Sequence, residues 1–161
     1  MNIRQWWVAR TLIKQAYEAK ITTGLPASIV SAQAILETGW LKSIPKDYKT
    51  GETSNNLFGI KSFNDIIPFV ECVTHEYYNG EYVSIIAKFR KYKSYKDSFI
   101  DYGNLILRAD RYKKAVANKN NARAYILELW KAGYATDPDY PYKVLAIAEQ
   151  CGFIPKEKGN D

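Results

Sequence analysis

Residues 26–40 read Pro26-Ala27-Ser28-Ile29-Val30-Ser31-Ala32-Gln33-Ala34-Ile35-Leu36-Glu37-Thr38-Gly39-Trp40. The preceding Gly24-Leu25 breaks the chain, and Pro26 restarts it, because proline is well placed in the first turn of a helix. Ile29, Val30, Ala32, Ala34, Ile35 and Leu36 then make the segment apolar nearly all the way round, the pattern of a helix inside a core rather than on its surface. Gly39 is a natural stop. A helix over residues 26–38 is therefore expected at the centre of the molecule, and it carries one carboxylate, Glu37, in its last turn.

Around this helix the other elements follow from periodicity. Residues 3–20 place Ile3, Trp6, Trp7, Ile13, Ala16 and Tyr17 at near-helical spacing, with Arg10, Lys14 and Glu18 on the other face, which predicts an amphipathic helix. Residues 43–68 hold Pro45, Gly51, Gly59 and Pro68 and read as irregular structure, interrupted by the apolar Leu57-Phe58-Gly59-Ile60. Alternation on either side of Asn79-Gly80, a strong hairpin signal, predicts strands at 69–77 and 82–91. Ser94-Tyr95-Lys96-Asp97 opens a third helix through Phe99, Tyr102, Leu105 and Ile106. Shorter helices are expected at 112–118, 121–132 and 140–151, and a frayed polar tail at 155–161. The expected fold is α+β and mainly helical, with a β-hairpin lobe beside a helical lobe and a cleft between them.

Composition bounds the function. A chain of 161 residues suits one domain, and 47% hydrophobic and 14% aromatic residues rule out a disordered or low-complexity chain. The net charge of +6 is scattered and suits an anionic partner. With no recognised motif or basic stripe, nucleic acid is a poor candidate and anionic cell-wall polymers a better one. Cys72 and Cys151 lie far apart and His75 is the sole histidine, so neither a metal nor any other cofactor is expected, and two buried free thiols are favoured over a disulfide. Residues 1–10 lack a secretory pattern, and no apolar run reaches membrane-span length. Delivery to a substrate outside the cytoplasm is thus expected to depend on release, on a virion or on another export route.

Glu37 carries the clearest chemistry. A buried setting and the negative end of a helix dipole both disfavour its ionised form and raise its pKa, as a general acid in glycoside cleavage requires. On composition alone, a glutamate emerging at the surface is the commoner reading. Trp40 lies on the same side as Glu37 if the helix persists, where its indole offers a wall for the acid and a platform for a sugar. For a second carboxylate, alternation puts Glu76 on one strand face with Val70, Cys72 and Thr74, near the hairpin tip, and turns His75 to the other. A solvated charge beside a turn fits Glu76 equally well.

Five blocks in order, ETGWLKS (37–43), NNLFGIK (55–61), THEYYNG (74–80), FRKYKSYKDSFIDY (89–102) and GYATDPDYPYK (133–143), resemble the bacterial peptidoglycan glucosaminidases of glycoside hydrolase family 73, across residues 22–150. That family includes flagellar, autolysin and phage-lysin domains. The resemblance implies a lysozyme-like fold, with Glu37 as the essential acid, Glu76 as the second carboxylate and Tyr134 lining the glycan cleft. It further implies Asn56 and Phe58 as glycan contacts, to which Trp40 and Asp137 are added as candidates, although Asp137 and Thr136 equally suit capping the final helix while Tyr134 packs. Leu41 departs from the family's usual Gly, and Thr38 replaces its common Ser while keeping the hydroxyl.

The expected activity is hydrolysis of the β-1,4 bond between N-acetylglucosamine and N-acetylmuramic acid, by a monomer acting on peptidoglycan glycan strands without membrane insertion. Whether Glu76 activates water or the substrate's 2-acetamido group attacks stays open. The alternatives are a muramidase or lytic transglycosylase on the same scaffold, or a non-catalytic wall-binding or virion domain. The missing export signal and wall-binding repeats favour a phage lysin or virion component over a secreted autolysin.

Overall fold

The computed structural model describes residues 1–156, and the end of the expected frayed tail, 157–161, lies outside them. Within the described residues the element order is α1 (Ile3–Thr23), α2 (Ala27–Thr38), β1 (Phe69–Tyr78), β2 (Glu81–Arg90), α3 (Tyr95–Arg108), a 3₁₀ turn (Asp110–Tyr112), α4 (Lys113–Ala117), α5 (Ala122–Lys131) and α6 (Tyr140–Gln150). This is the mainly helical α+β fold with a small hairpin lobe that the periodicity predicts.

α2 occupies the centre and packs on α1, α5 and α6, with Ile29, Ala32, Ala34 and Ile35 fully enclosed. Leu12 and Ala16 of α1, Tyr125, Ile126 and Leu129 of α5, and Val144 and Ala148 of α6 complete the core. Removing this apolar area from water is the main stabilising term. α1 buries a different face from the one its bulky residues mark: Val8, Ala9, Leu12, Ala16 and Ala19 point inward, while Ile3, Trp6, Trp7 and Tyr17 are exposed. Small residues at helical spacing let α1 approach α2 closely, which leaves the large rings outside. Asn2 and Gln5 form a reciprocal capping box, and α1 runs past the predicted end at residue 20 before Gly24, at φ 69°, stops it.

α1 and α3 meet at Gly103. A Cβ placed there would stand 2.5 Å from Thr23 Cγ2 and 2.9 Å from Thr23 Cβ. Gly103→Ala should therefore lower stability by about 1 kcal/mol, overpacking outweighing the gain in helix propensity. Urea unfolding should show this loss shrinking in a Thr23→Ser background, which removes the crowding methyl. An unchanged or raised midpoint in Gly103→Ala alone would show that the helices can part without cost.

β1 and β2 pair antiparallel from Phe69↔Arg90 to Tyr78↔Glu81, and Asn79 (φ 49°) and Gly80 (φ 86°) supply the two left-handed residues of a tight turn that matches the strand twist. The hairpin projects from the helical lobe and is gripped at its base by the irregular segment before it. Tyr48 N–H donates to Glu71 O, Ser62 N–H to Lys88 O, and Arg90 N–H to Ile60 O, at 2.9 Å each. Cys72 and Cys151 are half-buried free thiols, more open than the buried thiols the sequence favoured. Burial pushes the Cys151 pKa up to about 11. Pro155, at the start of the expected frayed tail, accepts a hydrogen bond from Arg123. No helix among the described residues is long and apolar enough to cross a membrane.

Candidate active site

Glu37 lies in the last turn of α2, at the rim where the buried helix reaches the surface. The residue is open to solvent, yet the protein around its carboxyl removes enough water to raise its pKa above the ordinary glutamate value. Tyr140 Oη donates to Glu37 Oε1 at 3.3 Å, which favours the ionised form and opposes the larger desolvation effect. The result is a carboxyl that holds its proton to higher pH while facing open space, the condition a general acid needs.

The turn after Glu37 departs from the expectation for Trp40. α2 ends at Thr38, and Gly39, Trp40 and Leu41 all adopt left-handed backbone, with φ 53°, 63° and 60°. Trp40 therefore does not continue the helical face of Glu37. Its ring is partly buried and packs against the core. Thr38 holds this turn together: its hydroxyl donates to Ala34 O at 2.7 Å and accepts from Leu41 N–H at 3.0 Å. Leu41 thus occupies, with a side chain, a conformation that costs an ordinary residue about 1 kcal/mol and glycine almost nothing. That is the physical content of its departure from the family pattern.

Tyr134 follows Gly133, at φ 88°, in the turn between α5 and α6. Its ring lies 5.7 Å from Tyr140, 6.0 Å from Tyr102 and 6.2 Å from Tyr112, centroid to centroid. Burial, then the nearby Tyr140 and Glu37 groups, push its hydroxyl well above the usual phenol range, so it is neutral in any working buffer. Asp137 shapes this turn. Its carboxylate accepts from Lys143 Nζ at 2.6 Å and Asp139 N–H at 2.9 Å, and its carbonyl accepts from Trp130 Nε1 at 3.0 Å.

Phe58 stacks on Tyr102 at 4.0 Å and 15° between planes, and with Tyr134 and Tyr112 it lines an open depression of ≈ 340 Å³. Asn56, expected from the same block as a glycan contact, is 1% exposed and offers the cleft no surface. Its Nδ2 donates to Ile60 O and Arg90 O at 2.9 Å each, while its Oδ1 accepts from Phe58 N–H at 3.3 Å and Ile60 N–H at 3.1 Å. An asparagine amide can satisfy two carbonyls and two amides at once, which suits it to pinning a loop against a strand.

Glu76 sits opposite Val83 on β1, two pairs short of the turn, with its side chain about half exposed. Its ion pair is with Lys61 Nζ at 3.7 Å, and among the described residues no hydrogen bond joins it to Glu37. The structure thus gathers Glu37, Tyr134 and Tyr140 at one place and keeps Glu76 on the other lobe. His75 turns to the opposite face and meets Ser84 Oγ at 3.0 Å. Among the described residues no group of three His, Cys, Asp or Glu side chains could hold a metal.

Sequence reasoning missed the group behind Glu37. Tyr140, which the sequence does not mark as a partner of Glu37, touches its carboxyl directly, and Gln33 Nε2 donates to Tyr140 Oη at 3.1 Å. Tyr102 Oη donates in turn to Gln33 Oε1 at 3.0 Å. One signal was available: Gln33 is a long polar side chain in an otherwise apolar helix, one turn before Glu37 on the same face.

A helical lobe with Glu37 in the last turn of its central helix, and a small hairpin lobe that carries Glu76, is the lysozyme-like architecture of solved glycoside hydrolase domains. Residues 13–152 match the Glucosaminidase family, described as mannosyl-glycoprotein endo-beta-N-acetylglucosaminidase, and the chain belongs to that family. It is 42% identical over 141 residues to the peptidoglycan hydrolase FlgJ of Pseudomonas aeruginosa, covering 87% of this chain and 35% of that protein, so it spans about a third of that relative's length. Its fold resembles a C-terminally truncated glycoside hydrolase domain of Salmonella typhimurium FlgJ, with a TM-score of 0.80 and 36% identity over 93% of this chain and 99% of that one. A mutant peptidoglycan hydrolase from Sphingomonas sp. A1 is similar too, with a TM-score of 0.71 and 39% identity over 89% of this chain and 92% of that one.

Proposed function

We propose that this domain is an endo-acting peptidoglycan hydrolase that cuts the β-1,4 bond between N-acetylglucosamine and N-acetylmuramic acid. The observation that carries the reading is a solvent-facing Glu37 at the end of the central helix α2, hydrogen-bonded by Tyr140, with partial desolvation of its carboxyl favouring the protonated form. Glu37 gives its proton to the glycosidic oxygen as the bond to the anomeric carbon breaks, so the departing sugar leaves as an alcohol. Positive charge then develops on the remaining sugar. Glu76 approaches from the hairpin as the second carboxylate, activating water for attack at the anomeric carbon. Tyr134 and Phe58 line the depression in which a sugar ring rests, while Trp40 and Asp137 shape the adjoining turns. The chain acts as a monomer, with every proposed group on one polypeptide, and its +6 charge draws it to anionic wall polymers.

Mass spectrometry of the reducing ends of digested walls tests the bond assignment. Glucosamine ends are expected; muramic acid ends would show a muramidase, and anhydro ends a lytic transglycosylase. Glu76→Gln should lower the rate of wall lysis by about 10²-fold with the fold intact. Full activity there would remove Glu76 from the chemistry and leave the substrate's own 2-acetamido group as the attacking nucleophile.

A further inference from the structure

The three hydrogen bonds behind Glu37 have a direction. Tyr102 Oη spends its proton on Gln33 Oε1, which leaves Gln33 Nε2 facing Tyr140 as a donor. The Tyr140 oxygen accepts that bond, and its own proton points to Glu37 Oε1. We propose that Gln33 is a positioning residue which, oriented by Tyr102, keeps Tyr140 a hydrogen-bond donor to Glu37 and so holds the acid proton on Glu37 Oε2. The proposal rests on the reading of Glu37 as the general acid.

The consequence is mechanical. A protonated carboxyl beside a phenol can either accept from it or donate to it. If Glu37 donates to Tyr140, its proton points into the protein and away from a sugar in the cleft. The Gln33 amide hydrogen occupies the Tyr140 oxygen and disfavours that wasted arrangement. Glu37 Oε1 then accepts, and the proton must reside on the other oxygen.

Gln33 is 0% exposed and does not meet substrate, while Tyr102, 3% exposed, lies at the floor of the depression that Phe58 and Tyr134 line. A buried glutamine with both ends of its amide engaged is retained for what it orients. The titratable groups facing Glu37 are Tyr140 from α6 and Tyr134 from the α5–α6 turn, and the Tyr134 hydroxyl also interacts with those of Tyr140 and Tyr102. Behind them Tyr125 of α5 stands beside Tyr102. Among the described residues no cation pairs with Glu37, so its state depends on these phenols and on desolvation.

The test reads the Glu37 pKa by ¹³C NMR of its side-chain carboxyl, alongside kcat and KM for soluble glycan. Tyr140→Phe removes the donor and should raise the Glu37 pKa. Gln33→Met, close in shape but with no donor, lets Glu37 donate to Tyr140; it should raise the pKa by a smaller step and lower kcat about tenfold, with KM unchanged. In a Tyr140→Phe background Gln33→Met should add nothing. An unmoved pKa in folded Gln33→Met overturns the proposal, as does a further rise in the double variant, since either shows that Gln33 does not act through Tyr140. Should Gln33→Met not fold, Tyr102→Phe carries the test by freeing the amide to turn its oxygen toward Tyr140. Its Glu37 pKa must rise, and an unchanged value overturns the proposal. Glu37→Gln separates the two readings, because an active Glu37→Gln protein ends the general-acid reading whatever the Gln33 variants show.

Discussion

Glu37→Gln is expected to lower the rate of wall lysis by roughly 10³–10⁴-fold, the upper range for a group that transfers a proton in the transition state. The amide keeps the shape of the carboxyl and can still accept from Tyr140, so binding and fold should survive and the loss should fall on kcat. The pH dependence follows from the same group. A general acid works only while protonated, so activity should decline as pH rises through the Glu37 pKa. Desolvation places that limb above the ordinary glutamate range, with the Tyr140 hydrogen bond holding it back. Stability should respond with a definite sign. A carboxyl whose pKa is higher in the folded state holds its proton more tightly there than in the unfolded chain. Stability therefore falls as pH rises from the unfolded value through the folded one. Glu37→Gln removes that fall, so the variant should unfold at the same temperature as the parent in acid and at a higher one above the folded pKa. A folded, fully active Glu37→Gln protein would falsify the assignment.

Asn56→Ala is expected to lower stability by about 3 kcal/mol, because it strands partly buried backbone groups of Phe58, Ile60 and Arg90. Each stranded group costs about 1–3 kcal/mol, partly recovered as water enters the base of the hairpin. Against a total stability of about 5–15 kcal/mol for such a domain, the loss should show as a clear drop in the urea midpoint. Activity should fall with it, since the same amide ties the loop carrying Phe58 to the strand that returns from Glu76's hairpin. Asn56→Asp sharpens the test. It keeps the accepting oxygen but turns a carboxylate oxygen toward the carbonyls of Ile60 and Arg90, so it should be destabilising near neutral pH and partly relieved in acid. If Asn56→Ala unfolded like the parent yet failed to bind glycan, Asn56 would be a substrate contact after all.

Much of the fold was legible in advance. The buried helix around Ile29–Leu36, the break at Gly24-Leu25-Pro26, the Asn79-Gly80 hairpin and the Ser94 cap each rest on interactions within a few residues, and all stand where periodicity and capping place them. α1 was legible as a helix but not in its buried face. Large rings announce themselves in a sequence, whereas the face that fits against a neighbouring helix is chosen by close approach, and here the small Ala9, Ala16 and Ala19 win.

The candidate site divides along the same line. Glu37 was legible because the cause of its raised pKa, the end of a buried apolar helix, lies in its own segment. Glu76 was legible only as a strand face, and Asn56 only as part of a block. That Asn56 ties two chain segments from within could not be seen, because its partner Arg90 lies 34 positions away. Trp40 shows the limit of local rules: helical spacing joined it to the face of Glu37, whereas the helix ends at Thr38 and both Gly39 and Trp40 are left-handed.

By itself the sequence determined the elements, the helical core and the place of Glu37 at the end of α2, since each depends on short-range backbone preference and the burial of adjacent apolar residues. Only the tertiary structure decided which hydroxyl meets that acid. Tyr140 stands 103 residues from Glu37, and Tyr102 stands 69 from Gln33. Hydrogen bonds act over about 3 Å and need a set direction, so they come into being only when distant segments have packed.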